Sequence, residues 1–280
     1  MILIADSGST KTSWTLTEAG SQKSIQGPGL NPFFIDTASL TSEIGRVFKK
    51  LGSPKLSHIY FYGTGIIGEE QSRLINDILC KLSSPEQVIV KSDLQGAYHA
   101  LFGMETGIAA ILGTGASSGY FEKGKLMNQV PSLGFWLGDE GSGSDLGKRL
   151  IKAYLRKEMT AELISSFEDK FGSFERALVF QRIKEPRPNA WFASFTPFLK
   201  DNEDHPLINN LLEMAFDEFV EKTLVPYRIN PLHKVGIVGS VAYYFEPFLR
   251  RSLAKYLDNE VVIMKDPMPG LIDFHVTNVQ

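Results

Sequence analysis

The chain has one cysteine among its 280 residues, Cys80. One thiol makes neither an intramolecular disulfide nor a CxxC metal site, so a disulfide-stapled scaffold and a cysteine-built zinc site are both excluded. Free cysteines are often buried, and Ile78, Leu79 and Leu82 around it predict a buried helix face for Cys80. No stretch approaches the ~18 apolar residues of a membrane span. Met1 to Ala5 is a short apolar run ended by Asp6, without the basic segment and longer apolar run of a signal peptide. A soluble, cytoplasmic protein of a reducing compartment, without a membrane partner, is therefore expected. There is no excess of positive charge: the formal net charge is -3, which argues against a nucleic-acid partner. The phosphate-binding pattern GxxxxGK[ST] is also missing. Against these absences, 43% hydrophobic and 22% charged residues are enough for a packed core. The length suits one large domain or two ordinary ones.

Three apolar stretches lead directly into glycine turns. Ile2 to Ala5 runs into Asp6-Ser7-Gly8-Ser9-Thr10-Lys11-Thr12 and leaves as Ser13 to Leu16. Ile108 to Leu112 runs into Gly113-Thr114-Gly115-Ala116-Ser117-Ser118-Gly119 and leaves as Tyr120-Phe121. Both read as β-hairpins about a hundred residues apart, one unit used twice, which implies two related α/β halves with a boundary near residues 100 to 106. Val235 to Val238 runs into Gly239-Ser240, where Ser240 stands near the cap of a following helix. Further strands fit His58 to Tyr62, Gln87 to Lys91 and Glu260 to Met264. Helical periodicity places Leu40, Ile44, Val47, Phe48 and Leu51 on one face of Thr37 to Lys50, and Leu74, Ile78, Leu79 and Leu82 on one face of Glu70 to Leu82. Gly143 to Arg156, Thr160 to Phe167, Pro206 to Val225 and Glu246 to Leu257 also suit helices, and the proline-bearing Lys184 to Pro206 suits loops and short turns.

The chemistry concentrates at the turns. Glycine lets backbone N–H groups approach an anion and hydroxyls add donors, so each turn is either a plain hairpin or a phosphate cradle, and their repetition favours the cradle. Asp6, ending its strand, suits a hydrated magnesium ion. Asp93 opens a helix after Val88 to Lys91 and is either its N-cap or a general base for a substrate hydroxyl. In Leu137-Gly138-Asp139-Glu140-Gly141-Ser142, the two carboxylates either accept hydrogen bonds from sugar hydroxyls or complement a helix dipole.

Taken together and in order, these segments resemble the N-acetylglucosamine kinase group of the BadF/BadG/BcrA/BcrD ATPase-type families, within the actin, Hsp70 and sugar-kinase superfamily; the likeness spans residues 2 to about 272. The resemblance implies an α/β fold of two related ribonuclease H-like (actin-like ATPase) domains with a cleft that closes between them. Residues 1–105 would form the N-terminal lobe with the sugar-binding loops, and 106–280 the C-terminal lobe with nucleotide-binding turns and helical insertions. It implies ATP and Mg2+, a small sugar as substrate, and a homodimer by family habit. Asp93 would be the base. Asp6, Ser9, Thr10, Lys11 and Thr12 would form the first phosphate loop, and Gly113, Thr114, Gly115 and Ser117 the second. Gly239, Ser240 and Gly270 would lie against the adenosine; Asn31, Thr64, Gly65, Asp139 and Glu140 would lie near the sugar. N-acetylglucosamine is the first candidate acceptor, with N-acetylmuramic acid derivatives, glucosamine and other hexosamines behind it. Two other readings stand beside the kinase: an activator ATPase of the 2-hydroxyacyl-CoA dehydratase kind, which the single cysteine disfavours, and a non-catalytic nucleotide or sugar sensor. The chain departs from the group in three places. Ser132-Leu133 stands where relatives have Gly-Trp, the first turn has one glycine, and Pro267-Met268-Pro269-Gly270-Leu271 replaces a Gly-Ala-rich helix start, so the last helix is expected short or missing.

Overall fold

The computed structural model describes residues 1–18, 21–230 and 232–277. The chain divides into two compact units, Met1–Ala109 with Phe121–Met127 and Asp266–Gln280, and Ala110–Tyr120 with Asn128–Lys265.

The first sheet is built from β1 (Ile2–Ser7), β2 (Lys11–Glu18), β3 (Ser21–Pro28), β4 (His58–Gly63) and β5 (Gln87–Ser92), in the order β3-β2-β1-β4-β5. β1, β2 and β3 pair antiparallel, whereas β4 and β5 join β1 in parallel. Parallel neighbours need long crossovers, supplied by α1 (Thr37–Leu51) and α2 (Glu69–Ser83); α3 (Asp93–Phe102) follows β5. α1 begins where the Asp36 carboxylate accepts the Ser39 N–H and ends at Gly52 with φ 86°. It buries Leu40, Ile44, Val47, Phe48 and Leu51, the five residues its periodicity predicted. The pleat sends alternate strand residues to opposite faces. Leu3, Ala5, Ile59 and Phe61 pack with Ile44, Phe48, Ile75 and Leu79 on one side. Ile4, Tyr60 and Tyr62 pack with Met268 and Leu271 on the other.

The second sheet uses β6 (Gly107–Leu112), β7 (Ala116–Glu122), β8 (Lys125–Asn128), β9 (Lys234–Val238) and β10 (Val261–Met264), in the order β8-β7-β6-β9-β10. Position for position this repeats β3-β2-β1-β4-β5, so the repeated glycine turns belong to a repeated topology. A helical stretch separates β8 from β9: α4 (Gly134–Leu137), α5 (Gly143–Leu155), α6 (Ala161–Phe171), α7 (Arg176–Lys184), α8 (Pro188–Ala193), α9 (Thr196–Asp201) and α10 (Pro206–Phe219). Aromatic contacts hold it, with Tyr154 4.6 Å from Phe167 and Phe171 4.7 Å from Phe195 between ring centroids. α11 (Ser240–Tyr244) and α12 (Glu246–Tyr256) lie between β9 and β10, and α13 (Met268–Thr277) follows.

Several expectations are corrected. Cys80 is exposed: α2 buries Ile75, Ile78 and Leu79, and position 80 turns away from that stripe. β3 and β8 are strands that the sequence did not announce, because they are edge strands made of mostly exposed residues and are defined by hydrogen-bonded neighbours instead of apolar alternation. Lys184 to Pro206 contains two short helices, each with a proline in its first turn, where a missing N–H costs nothing. The last helix is present, ten residues long. Tyr62 Oη ties it down through hydrogen bonds to His99 Nδ1 of α3 at 2.7 Å and His275 Nε2 of α13 at 2.9 Å. Burial holds both histidines neutral, His99 at a pKa of about 4, helped by Lys91, and His275 at about 3, helped by His99 and His58.

Candidate functional site

In the first unit, three parallel strands end level with one another: Ser7 of β1 is in register with Gly63 of β4, and Gly63 with Ser92 of β5. Beyond the carboxyl ends of such strands is where open α/β sheets collect ligands. Asp6, Thr64 and Asp93 sit within one residue of that row. The Thr64 N–H donates to the Ser7 carbonyl at 2.8 Å, which fixes the loop after β4 against β1.

Asp93 is the first residue of α3, and the cap is Ser92, whose hydroxyl accepts the Gln95 N–H at 3.2 Å. Asp93 Oδ1 accepts the Leu94 N–H at 2.8 Å, and the Thr64 side chain hydrogen-bonds the same carboxyl. Loss of water raises its pKa above the usual carboxylate range, and those hydrogen bonds act in the opposite direction. The result is a half-buried, oriented carboxyl.

The Asp6 pKa is also raised, from an ordinary 3.8 to about 7, by burial first, then by the charges of Asp266 and Asp93, with Lys11 opposing. Asp266 was not singled out from the sequence. It follows β10 and precedes Pro267, and its carboxylate accepts the Met268 N–H at 2.9 Å, so its cap position was the available signal. The raised pKa has a measurable sign. Between pH 4 and 7 the folded state holds a proton on Asp6 that the unfolded chain has lost, so stability falls as pH rises through that window. Asp6→Asn removes the effect. The variant is expected to melt higher than the wild type at pH 8 without added cation, the gain shrinking to nothing near pH 4; an equal gain at both pH values would contradict the assignment.

The first turn is closed by the Gly8 N–H donating to the Lys11 carbonyl at 3.0 Å. Gly29 backs it so closely that a Cβ there would lie 2.4 Å from the Gly8 oxygen. Thr10 and Lys11 are exposed and Ser9 is half-buried. Thr12 is a correction: it is fully buried, its hydroxyl donates to the Pro28 carbonyl at 2.7 Å and lies 2.9 Å from Ser7 Oγ. It pins β2 to β3 and β1 and has no free face for a phosphate. Asn31 and Gly65, expected on the sugar side, are in contact. Asn31 Oδ1 accepts the Phe33 N–H at 2.9 Å, and a Cβ on Gly65, whose φ is 78°, would lie 2.3 Å from that same oxygen.

In the second unit, the turn after β6 is held from three directions. The first N–H groups of α5 serve it, Gly143 to the Gly113 carbonyl at 2.8 Å and Ser144 to the Thr114 carbonyl at 3.1 Å. Asp139, buried and at φ 61°, accepts the Ala116 N–H at 3.1 Å, and a Cβ on Gly115 would lie 2.9 Å from its Oδ2. Burial raises the Asp139 pKa, against the Ala116 hydrogen bond. The carboxylate of this acidic pair with a visible task therefore supports the second turn, while Glu140 is half-buried beside it. The third direction is Gly239: at φ 140°, a Cβ there would lie 2.2 Å from the Leu112 oxygen. Gly239 and Gly113 thus belong to one backbone junction, with Ser240 exposed at the start of α11 and Thr114, Gly115 and Ser117 half-buried in the turn.

Gly270 has a packing task. It lies in α13, where a Cβ would meet the Ala100 carbonyl oxygen of α3 at 2.3 Å. Close helix packing within the first unit accounts for the glycine, which remains half-buried. No group of three or more His, Cys, Asp or Glu side chains placed to hold a metal occurs among the described residues.

Two sheets of one repeated strand order, each flanked by helices, define the actin-like ATPase fold. Solved structures place the chain more closely. A protein described as the putative N-acetylglucosamine kinase of Porphyromonas gingivalis is 33% identical, with both chains covered completely and a TM-score of 0.92. This chain belongs to the same family as that protein. An enzyme of the same description from Chromobacterium violaceum is 17% identical, with 98% of each chain covered and a TM-score of 0.74. The ROK hexokinase of Thermus thermophilus is 17% identical, with 100% of this chain and 99% of that one covered and a TM-score of 0.55. These two show the fold alone. No protein-family model and no curated protein matches the chain.

Proposed function

We propose that the protein is an ATP-dependent sugar kinase of the BadF/BadG/BcrA/BcrD type that transfers the γ-phosphate of ATP to a hydroxyl of an amino sugar, with N-acetylglucosamine the first candidate. The observation that carries this reading is the placement of Asp93: an oriented carboxyl of raised pKa, hydrogen-bonded to Thr64 and next to the contacting pair Asn31 and Gly65 in the loops of one sheet end. The membership of the chain in a family with a protein described as a putative N-acetylglucosamine kinase supports it.

In the mechanism, Asn31, Thr64 and Gly65 bind the sugar, and Asp93 orients the acceptor hydroxyl and takes its proton as the phosphoryl group departs. A raised pKa makes Asp93 a better proton acceptor. Ser9, Thr10 and Lys11 are the phosphate-side donors of the first turn. Gly113, Thr114, Gly115 and Ser117, with Gly239 and Ser240, are the nucleotide-side residues of the second unit. Magnesium sites of this kind take one or two carboxylates and complete their shell with water and substrate phosphates. Asp6 fits such a role, since a cation there would relieve the repulsion from Asp266 and Asp93 that raises it. When bound, the ion would neutralise charge on the phosphate oxygens.

ADP release over N-acetylglucosamine, glucosamine, N-acetylmuramic acid and plain hexoses tests the proposal. Turnover with an amino sugar above the hexoses is expected. ATP binding without sugar-dependent ADP release from any of them would instead make the protein a nucleotide-binding sensor.

A further inference from the structure

Pro226 has no N–H to give a helix, and its ring crowds the carbonyl four residues back. α10 therefore does not run through it in α register. After Phe219 the helix widens into a π turn, Val220–Leu224, in which the Val225 N–H reaches back to the Val220 carbonyl, and a 3-10 turn, Val225–Tyr227, follows. Turns of this wide kind recur at functional sites. Two observations, both within the second unit, show what this one supports. First, Tyr227 closes a chain of hydrogen bonds. The Val130 N–H donates to Tyr227 Oη at 2.8 Å, Tyr227 Oη lies 2.8 Å from Ser118 Oγ, and Ser118 Oγ donates to the Thr223 carbonyl of the π turn at 3.1 Å. The single Ser118 proton is committed to Thr223, so Tyr227 is the donor to Ser118. Ser118 is buried in β7, two residues beyond the Ala116 N–H that binds Asp139. Second, the acidic segment rests on the end of the same helix. A Cβ on Gly141, whose φ is 71°, would lie 2.8 Å from the Phe219 Cβ and 3.1 Å from the Ala215 carbonyl oxygen. Gly141 stands two residues after Asp139, the carboxylate behind Gly115.

The second turn is thus held on its strand side by Ser118 and on its acidic side by Asp139, and both supports bear on the end of α10. A loop that only joins β6 to β7 has no need of a hydroxyl 109 residues further along the chain. A loop whose N–H groups must meet a ligand's oxygens does need one, because a displacement of about 1 Å can cost ~10²-fold. We infer that Tyr227 is a positioning residue for the second turn: acting through Ser118, its hydroxyl holds the turn's donors where the nucleotide phosphates require them. The inference rests on the sugar-kinase reading for the identity of that ligand.

The test compares Tyr227→Phe with Tyr98→Phe. Tyr98 performs a matching backbone task in the first unit, where its hydroxyl accepts the Gly124 N–H and donates to the Glu105 carbonyl, each at 2.9 Å. Both variants keep the ring, lose one hydroxyl and are expected to melt lower than the wild type. Calorimetric titration with ATP and magnesium separates them. Affinity is expected to fall roughly tenfold in Tyr227→Phe and to stay unchanged in Tyr98→Phe. Ser118→Ala is expected to match Tyr227→Phe, and the double variant to lose no more than either alone, since the two hydroxyls act along one path. In steady state the loss is expected as a raised KM for ATP with the KM for the sugar unchanged. Wild-type ATP affinity in Tyr227→Phe, an equal loss in Tyr98→Phe, or additive losses in the double variant overturns the inference. Amide hydrogen exchange supplies a readout without nucleotide: residues 113–119 are expected to exchange faster in Tyr227→Phe than in Tyr98→Phe, and equal rates overturn the inference as well. A wild type that binds no ATP would sink the kinase reading, and exchange alone would then decide whether Tyr227 positions the turn.

Discussion

Asp93→Asn is expected to lower kcat by about 10²–10⁴-fold while ATP still binds. The amide has the shape of the carboxyl, and its oxygen can still accept the Leu94 N–H that holds Oδ1 at 2.8 Å. What it loses is the capacity to accept a proton. Stability separates this from a structural effect. Burial raises the pKa of Asp93, so ionising it costs the fold stability, and a neutral replacement is expected to leave the melting temperature equal or higher. The helix cap is also untouched, because Ser92 supplies it. A variant with near-normal kcat would reduce Asp93 to a first-turn residue of α3 and remove the centre of the proposed mechanism. The wild-type kcat should in turn rise with pH through a value above the ordinary carboxylate range, as the base becomes ionised.

Gly270→Ala is expected to destabilise the protein by about 1–3 kcal/mol, the usual range for forcing a methyl into packed space. The obstruction is backbone: the new Cβ would lie 2.3 Å from the Ala100 oxygen and 2.9 Å from its carbonyl carbon and Cα. A flexible side chain could yield, but two helices must separate instead. Because α3 begins at Asp93, the displacement is expected to reduce kcat as well, with the KM for ATP unchanged. Thermal melts and steady-state kinetics on one preparation check both parts. An unchanged melting temperature with a raised KM for ATP would favour a nucleotide role over the packing one.

The sequence displayed those parts of the fold whose cause is local. The hairpins around Gly8 and Gly115 were visible because apolar strands meet small turn residues, and α1 because its buried stripe recurs at helical spacing. β3 and β8 were not visible, since an edge strand owes its conformation to the neighbour it hydrogen-bonds. The same division runs through the candidate site. Asp93 and the second turn stood out by type and position. Thr12 looked identical to Ser9 and Thr10 as a hydroxyl in a turn, and only pairing with β3 turned it inward onto Pro28. Asp266 went unremarked because its importance lies in its nearness to Asp6, 260 residues earlier in the chain. The packing task of Gly270 was not visible, because a glycine needed for a close helix crossing and one needed for ligand approach carry the same letter.

Met268 and Leu271 complete a core with Ile4, Tyr60 and Tyr62. During synthesis, then, the rear face of the first sheet waits for almost the entire polypeptide. A ribosome that has released the five strands of that sheet and α3 still holds the second helix of that face, and the part α3 leaves open must be kept from other surfaces until α13 emerges. A chain stopped after residue 265 would carry every proposed sugar-side residue and still leave that face only partly covered, by α3. Its expected fate is aggregation or degradation and not reduced activity.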